Sequence, residues 1–366
     1  MDPRIILKTA LGGGEVTPTE AIVLMQSYPN MGEEINYSAD LLNKKINRGV
    51  VTFLHSKHIL YSNVCRYRCK FCSIFKKRHE KGGFTLKIDS NVKKIKEDPN
   101  LEQVCIYGSC NPELPFAFYC DMLKHIRKAF PSVHIQAFSP LEIQFIAKRS
   151  KNSTIEVLKK FKEAGLDSMS GFDAEILNDK LRKKICPDKM RTHDWIEVIR
   201  NAHHLGINTT ATILFGHLED EIHIAEHLEI IRLIQKETHG FTQFIPIPFS
   251  MHTTEFSSLR KLASKWRERA GFLNENDATS RLLSVSRLFF GPNLTNIQAS
   301  WFRLGIDKAV QSLSAGANDL GETVFDETAC KNLNLKSGAV LAPNKIKNII
   351  VKAGKTPRIR SLRIKK

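Results

Sequence analysis

The chain has 366 residues and a formal net charge of +17, from 55 Lys and Arg against 38 Asp and Glu. Hydrophobic residues make up 42% and charged residues 25%, which excludes collagenous, coiled-coil and wholly disordered chains. Eight cysteines in that length are too sparse for a scaffold held by disulfides.

The first sixteen residues hold no long apolar run, and Gly12-Gly13-Gly14 interrupts them, so no signal peptide is expected. No stretch reaches the ~18 apolar residues of a membrane span. The expected location is cytoplasmic, with reduced thiols. Thr17-Pro18-Thr19-Glu20 offers an N-cap, a proline at the first helical position and an early acid, ahead of AIVLMQ. Residues 1–49 therefore read as a helical lead-in.

From Val50 onward short β-like runs alternate with amphipathic helices. VTFLHS, VCIYG (104–108), HIQAFS (134–139), LDSMSG (166–171), NTTATILFG (208–216), FTQFIPIPF (241–249) and NIQASW (296–301) read as strands. Helical patterns such as FAFYCDMLKHIRKAF, WIEVIRNAHHLG and HIAEHLEIIRLIQKE lie between them. Repeated βα units imply a parallel sheet, and their number over residues 50–325 predicts a (β/α)8 TIM-type barrel. An open Rossmann-like sheet is the alternative, but no Gly-x-Gly-x-x-Gly follows the first strand. Residues 326–366 read as a C-terminal extension: a short helix and then a basic, disordered end.

The charge is local. Nine basic residues and no acid lie between Lys345 and Lys366, and seven basic residues against Glu80 lie between Cys65 and Lys81. The rest of the chain is close to neutral, so nucleic acid is not an expected partner.

Cys65, Cys69 and Cys72 stand in CRYRCKFC. Three thiolates this close can ligate three irons of a cubane cluster and leave the fourth open. A zinc knuckle would want a fourth ligand, for which His79 is the nearby candidate. The neighbouring cations favour thiolates and offset a negative cluster. Cys105, Cys110, Cys120, Cys186 and Cys330 show no pairing pattern and read as small buried hydrophobes.

This motif, with Phe71 before its last cysteine, resembles the radical S-adenosylmethionine signature. The resemblance extends over residues 50–325 through NPELPFAFY, HIQAFSPLEI, AGLDSMSG, TTATILFGH, KETHGFTQFIPIPF, NIQASW and GANDLG. Together they look like one subgroup: cyclic dehypoxanthine futalosine synthase, aminofutalosine synthase, and the hydroxyphenyl transferase subunit of deazaflavin synthase. The resemblance implies a barrel holding a [4Fe-4S] cluster on Cys65, Cys69 and Cys72, with S-adenosylmethionine on its open iron. A 5′-deoxyadenosyl radical then starts chemistry on a nucleoside-like small molecule. The electron would come from a donor such as flavodoxin or ferredoxin.

TTATILFGH, NIQASW and GANDLG look like the cyclase and the deazaflavin enzyme. FIPIPF, lacking Trp, departs from the cyclase. Ser73, the basic insertion 76–81 and AGKTP look like the aminofutalosine enzyme. With two of three candidates on the menaquinone route, the cyclase is the leading expectation. A non-catalytic cluster or zinc protein is the reading from a different class. Ser109, Phe172 and Glu322 replace glycines usual in the subgroup.

Several residues at strand ends are candidates for the site. Tyr67, Phe71, Gly108, Ser139 and Glu142 are expected at the cofactor, although Ser139-Pro140 and Glu142 also suit a helix N-terminus. Glu175, His217 and Asp319 are candidate catalytic groups. Glu175 could instead start a helix, His217 could be structural, and Asn318-Asp319 could order a turn. Trp301 offers a stacking face or a core plug.

Overall fold

Two capped helices carry the chain to the sheet: α1 (Pro3–Leu11) and α2 (Pro18–Asn47). Thr17 and Glu20 close the expected capping box on α2, and the helix kinks at Met31, two residues after Pro29. Its buried face, including Leu24, Met25, Ile35 and Ala39, packs on the helix Glu275–Phe290. The computed structural model describes residues 1–72, 74–249, 275–326 and 340–362, with Lys261 and Ser264. Ser73, Cys330, Arg363, Lys365 and Lys366 lie outside the described residues.

The strands are β1 (Val50–Leu60), β2 (Gln103–Tyr107), β3 (His134–Ala137), β4 (Ser168–Met169), β5 (Asn208–Phe215), β6 (Phe241–Pro248), β7 (Asp319–Val324) and β8 (Thr356–Ile359). Between them run α3 (Ile88–Lys96), α4 (Phe116–Ala129), α5 (Pro140–Ser150), α6 (Thr154–Glu163), α7 (Asp179–Ile185), α8 (Thr192–His204) and α9 (Glu221–Thr238). All named strand pairs are parallel, in the order β6-β5-β4-β3-β2-β1-β7. Consecutive order excludes the Rossmann-like alternative, whose sheet reverses at a switch point.

The ring closes through two residues. Ile297 bridges Phe244 of β6, and Gln298 bridges Asp319 of β7. NIQASW is thus a seam and not a full strand, because the chain turns at Ser300 into the short helix Trp301–Leu304. Likewise LDSMSG shrinks to the two residues of β4. Outside the ring, Tyr119, Phe138 and Phe161 pack as a cluster of aromatic rings 4.8–6.4 Å apart. No helix among the described residues is long and apolar enough to cross a membrane.

The C-terminal segment departs from the expectation of a disordered basic end. The helix Pro343–Lys352 leads into β8, which pairs with the first half of β1, from Val50 to Phe53. Arg360 then turns inward and is buried. Its guanidinium donates to both oxygens of Asp319 at 2.7 and 2.8 Å, and to Glu322 Oε1 at 2.6 Å. Lys355 similarly reaches Asp40 of α2.

The basic tail therefore holds part of the barrel together. Removing one partner of a buried ion pair leaves an uncompensated charge and costs about 3–5 kcal/mol. Arg360→Met is expected to lose that much in urea unfolding, and truncation after Gly354 at least as much. Unchanged unfolding midpoints in both variants would refute the role.

Candidate active site

The loop after β1 carries the three cysteines and is pinned at its base. Cys65 N donates to Lys76 O, Lys76 N to Asn63 O, and the Asn63 side chain clamps Gly82 and Phe84. Further along, Arg66 N donates to Cys110 O and Lys70 N to Ile185 O at the end of α7. The loop thus rests on the elements that follow β2 and β4. None of the described cysteines forms a disulfide. The Cys65 thiol is lowered to about 7, chiefly by a hydrogen bond from Cys110. Burial pushes Cys69 and Cys72 up.

Next to this loop, Tyr61 donates to Glu142 Oε1 at 2.6 Å. Ser139 caps α5 by accepting from Glu142 N, and the Glu142 carboxyl is held by both Tyr61 and Ser139. Burial raises the Glu142 carboxyl to about 7; hydrogen bonds from Tyr61 and Ser139 oppose the shift, and the charge of Asp173 adds to it. Gly108 makes this pair possible. A Cβ there would lie 2.3 Å from Tyr61 Cζ, so the ring needs a glycine beneath it.

A second cluster lies after β4. Lys189 Nζ sits 2.5 Å from Asp173 Oδ1 and 2.6 Å from Glu175 Oε1. Burial works against charge in Asp173, but Lys189 holds its carboxyl below the usual value. Lys189 in turn is raised by the two carboxylates against its own desolvation. Its ammonium also stands 5.4 Å over the ring of Phe71. Asp173 and Glu175 adopt the left-handed backbone region, at φ +67° and +41°. Such conformations are held by surroundings, as Arg182 does here through the carbonyls of Asp173 and Ala174. The alternative helix beginning at Glu175 does not form; α7 starts only at Asp179. Glu175 Oε2 is buried and has no hydrogen-bond partner.

Inside the ring lies a narrow cavity of about 40 Å³ that opens to solvent. His58, Gln136, Ser170, Thr210, Gln243 and Glu322 are among its lining residues. These polar side chains share the lining with Ile106, Phe138, Phe172 and Ile245.

Two of the expected catalytic residues are not in this arrangement. His217 spends both ring nitrogens in its own turn: Leu218 N donates to Nδ1 at 2.7 Å, and Nε2 lies 3.0 Å from Leu214 O. Asp319 stands at the start of β7, opposite Thr52, and so at the far end of the barrel from the mouth. Its carboxylate is committed to Arg360. Trp301 is a core plug: it is buried, and its Nε1 donates to Glu322 O. Tyr67 is half-buried, edge-on to Phe145. Cys105 and Cys110 are buried as expected, but Cys110 contacts the cluster loop and Cys105 lines the cavity. Tyr61, Lys189, Asp173, His58 and Arg360 carried no motif signal. Each is defined by a partner far away in sequence.

The chain matches the Radical SAM superfamily over residues 59–231 and the CofH/MqnC C-terminal region over residues 238–365. It is 36% identical over 352 residues to the 5-amino-6-(D-ribitylamino)uracil--L-tyrosine 4-hydroxyphenyl transferase of Methanococcus maripaludis (strain C5), covering 95% of this chain and 96% of that protein. The protein of the same name from Archaeoglobus fulgidus is 36% identical over 324 residues, covering 88% and 90%. The chain belongs to the radical SAM superfamily. Methylornithine synthase (PylB) shares the fold, with a TM-score of 0.69 at 17% identity and coverage of 96% and 97%.

A radical SAM enzyme uses a [4Fe-4S] cluster and S-adenosylmethionine. The donor set here fits that cluster. Its three thiols share one loop, are free of disulfides, and feel the charge of the buried Lys189. Among the described residues no three His, Cys, Asp or Glu side chains converge on a point that would hold a single ion. A cubane is larger, and its irons sit at separate corners, so its ligands surround it.

The carboxyl of Glu142 makes a pH prediction. A carboxyl whose folded value is raised contributes stability that is present below pH 4.5 and is lost as pH rises through about 7. The loss amounts to about 3 kcal/mol at full ionisation. Urea unfolding of the cluster-free chain should fall over that window, and Glu142→Gln should flatten it. Parallel curves for the two proteins would contradict the assignment.

Proposed function

We propose that this chain is a tyrosine-dependent 4-hydroxyphenyl transferase that acts on 5-amino-6-(D-ribitylamino)uracil in deazaflavin cofactor synthesis. The observation that carries the reading is the match to relatives of that name, which runs through 95% of this chain and 96% of the relative. This reverses the order expected from motifs, where the menaquinone cyclase stood first. TTATILFGH, NIQASW and GANDLG look alike in the two enzymes, so they never separated them. FIPIPF, without Trp, is the motif that departs from the cyclase, and it agrees with the transferase.

Cys65, Cys69 and Cys72 are the residues that would hold the cluster. With S-adenosylmethionine, that group supplies a one-electron reductive cleavage that starts radical chemistry. The chain supplies the rest. Glu142, fixed by Tyr61 over Gly108, presents a carboxyl beside the cluster loop for amino or hydroxyl groups of the cofactor, and Ser139 stands next to it. Phe71 offers a flat face, with the ammonium of Lys189 on it. Lys189 pairs with Asp173 and Glu175 in a buried site, and Glu175 Oε2, which has no hydrogen-bond partner there, is placed to accept from a substrate hydroxyl or to act as a base. The strand ring excludes water around the reacting atoms.

Arg66, Arg68, Lys77, Arg78 and Lys81 are exposed on the loop that holds the cysteines. An acidic one-electron carrier of the ferredoxin or flavodoxin kind suits that rim.

After anaerobic reconstitution, L-tyrosine with 5-amino-6-(D-ribitylamino)uracil should yield 5′-deoxyadenosine and a coupled product by mass spectrometry. Turnover of dehypoxanthine futalosine instead would restore the cyclase reading. Cys69→Ala should lose the brown cluster absorbance, and a retained cubane would contradict the ligand set. Arg66→Glu with Arg68→Glu should slow turnover supported by ferredoxin or flavodoxin about tenfold and leave dithionite-driven turnover unchanged. Equal slowing with both reductants would place those residues elsewhere in the mechanism.

A further inference from the structure

Parallel strands alternate their side chains, so Asp319 and Glu322, three residues apart, should face opposite sides of the sheet. They do not, because β7 carries a bulge. Thr52 pairs with Asp319 and Leu54 with Glu322, so two residues of β1 face three of β7. Gly321 takes the strain at φ +94°, with the Gln298 amide 2.6 Å from where a Cβ would stand. The bulge turns Glu322 into the cavity above Asp319, and Arg360 reaches both carboxylates from below.

One guanidinium, that of Arg360, pairs with two buried carboxylates, and the charges of Arg303 and Asp326 also act on His58. His58, the nearest imidazole, stands 4.0 Å from Glu322 Oε2 and is kept neutral chiefly by burial, which lowers it to about 4. Arg360 takes Glu322 Oε1, and Oε2 keeps only a 3.5 Å contact from the Gln298 amide. Three more polar atoms in this part of the barrel are buried and have no partner: His58 Nε2, Gln243 Oε1 and Gln298 Oε1. Gln243 and Gln298 are themselves only 2% exposed. Unpaired buried acceptors are costly, so their grouping asks for a ligand.

The chemistry of that ligand follows from the set. Carboxylate and amide oxygens need donors, which an ionised phosphate or carboxylate does not bring. A polyol fits, because each carbon of its chain brings one hydroxyl donor to a different acceptor. We infer that in this chain, where Glu322 stands in place of a glycine usual in the subgroup, the floor formed by Glu322, His58 and Gln243, with Gln298 behind Glu322, binds the polyol chain of the substrate and so favours a ribityl-bearing uracil. This rests on the transferase reading above, and it assigns the bulge and the C-terminal Arg360 a part in substrate choice. Arg360 is a positioning residue: it acts through Glu322.

The test is calorimetric titration of cluster-loaded protein with S-adenosylmethionine and no reductant. The two ligands are 5-amino-6-(D-ribitylamino)uracil and 5,6-diaminouracil, which lacks the chain. The ribityl compound should bind at least about tenfold tighter. Glu322→Gln and Gln243→Met should each remove about tenfold of that advantage and leave the affinity for diaminouracil unchanged. Gln243→Met touches no ion pair, so it remains informative if Glu322→Gln fails to fold. Equal affinity for the two ligands, or a full advantage retained in Gln243→Met, would overturn the floor site and leave the transferase reading standing. Binding of neither ligand, with turnover of a different substrate, would overturn both.

Discussion

A buried carboxylate must have a countercharge, and at the base of this barrel it is Arg360. Its guanidinium joins Asp319 and Glu322 of β7, while its own backbone N–H binds Phe53 O of β1. One residue therefore connects β7, β1 and the C-terminal segment. Elsewhere the ring is thinner: between β6 and β7 it closes through single bridges at Ile297 and Gln298.

The mouth repeats that solution. Lys189 stands between Asp173 and Glu175, as Arg360 stands between Asp319 and Glu322. Each cation is buried and serves two carboxylates. The consequences differ with position. Beneath the cavity the arrangement holds strands and aims Glu322. At the mouth it lies against Phe71 and keeps Glu175 beside the cysteine loop, with Oε2 lacking a hydrogen bond and 3.8 Å from Arg182. Glu142 is the contrasting case: no cation reaches it, and it is satisfied by Tyr61 and raised toward neutrality. Glu142 and Asp173, two buried acids near one another, thus have opposite protonation tendencies, which is the condition for distinct roles.

Much of the fold was legible because hydrophobic runs with period two alternate with helical patterns from β1 to β6. The lead-in helix was legible from Thr17 to Glu20, which form the capping box they spell. β7 was not legible: Asp319, Gly321 and Glu322 break the apolar pattern of a buried strand, since its acids point into a polar barrel. β8 was hidden among basic residues that look solvated until Arg360 is seen with its partners. Asp319 was misplaced for the same reason. Ordering a turn and lining the mouth were the roles weighed for it, and neither includes a buried ion pair at the opposite end. His217 ends a strand as expected, yet local geometry uses up its ring, and spacing along the chain carries no information on that.

What the sequence determines by itself is the chemistry that depends on close spacing: three thiols in eight residues, the βα alternation, and the capped helices. These are local, because each needs only neighbours within a few residues. The tertiary structure alone decides which polar groups are paired and which are left open. Tyr61 with Glu142, Lys189 with Asp173 and Glu175, and Arg360 with Asp319 and Glu322 each join distant segments. A bulge of one residue at Gly321 decides whether Glu322 faces the cavity. Burial sets the energy of such pairs, and burial is a property of the closed barrel, which no segment has alone.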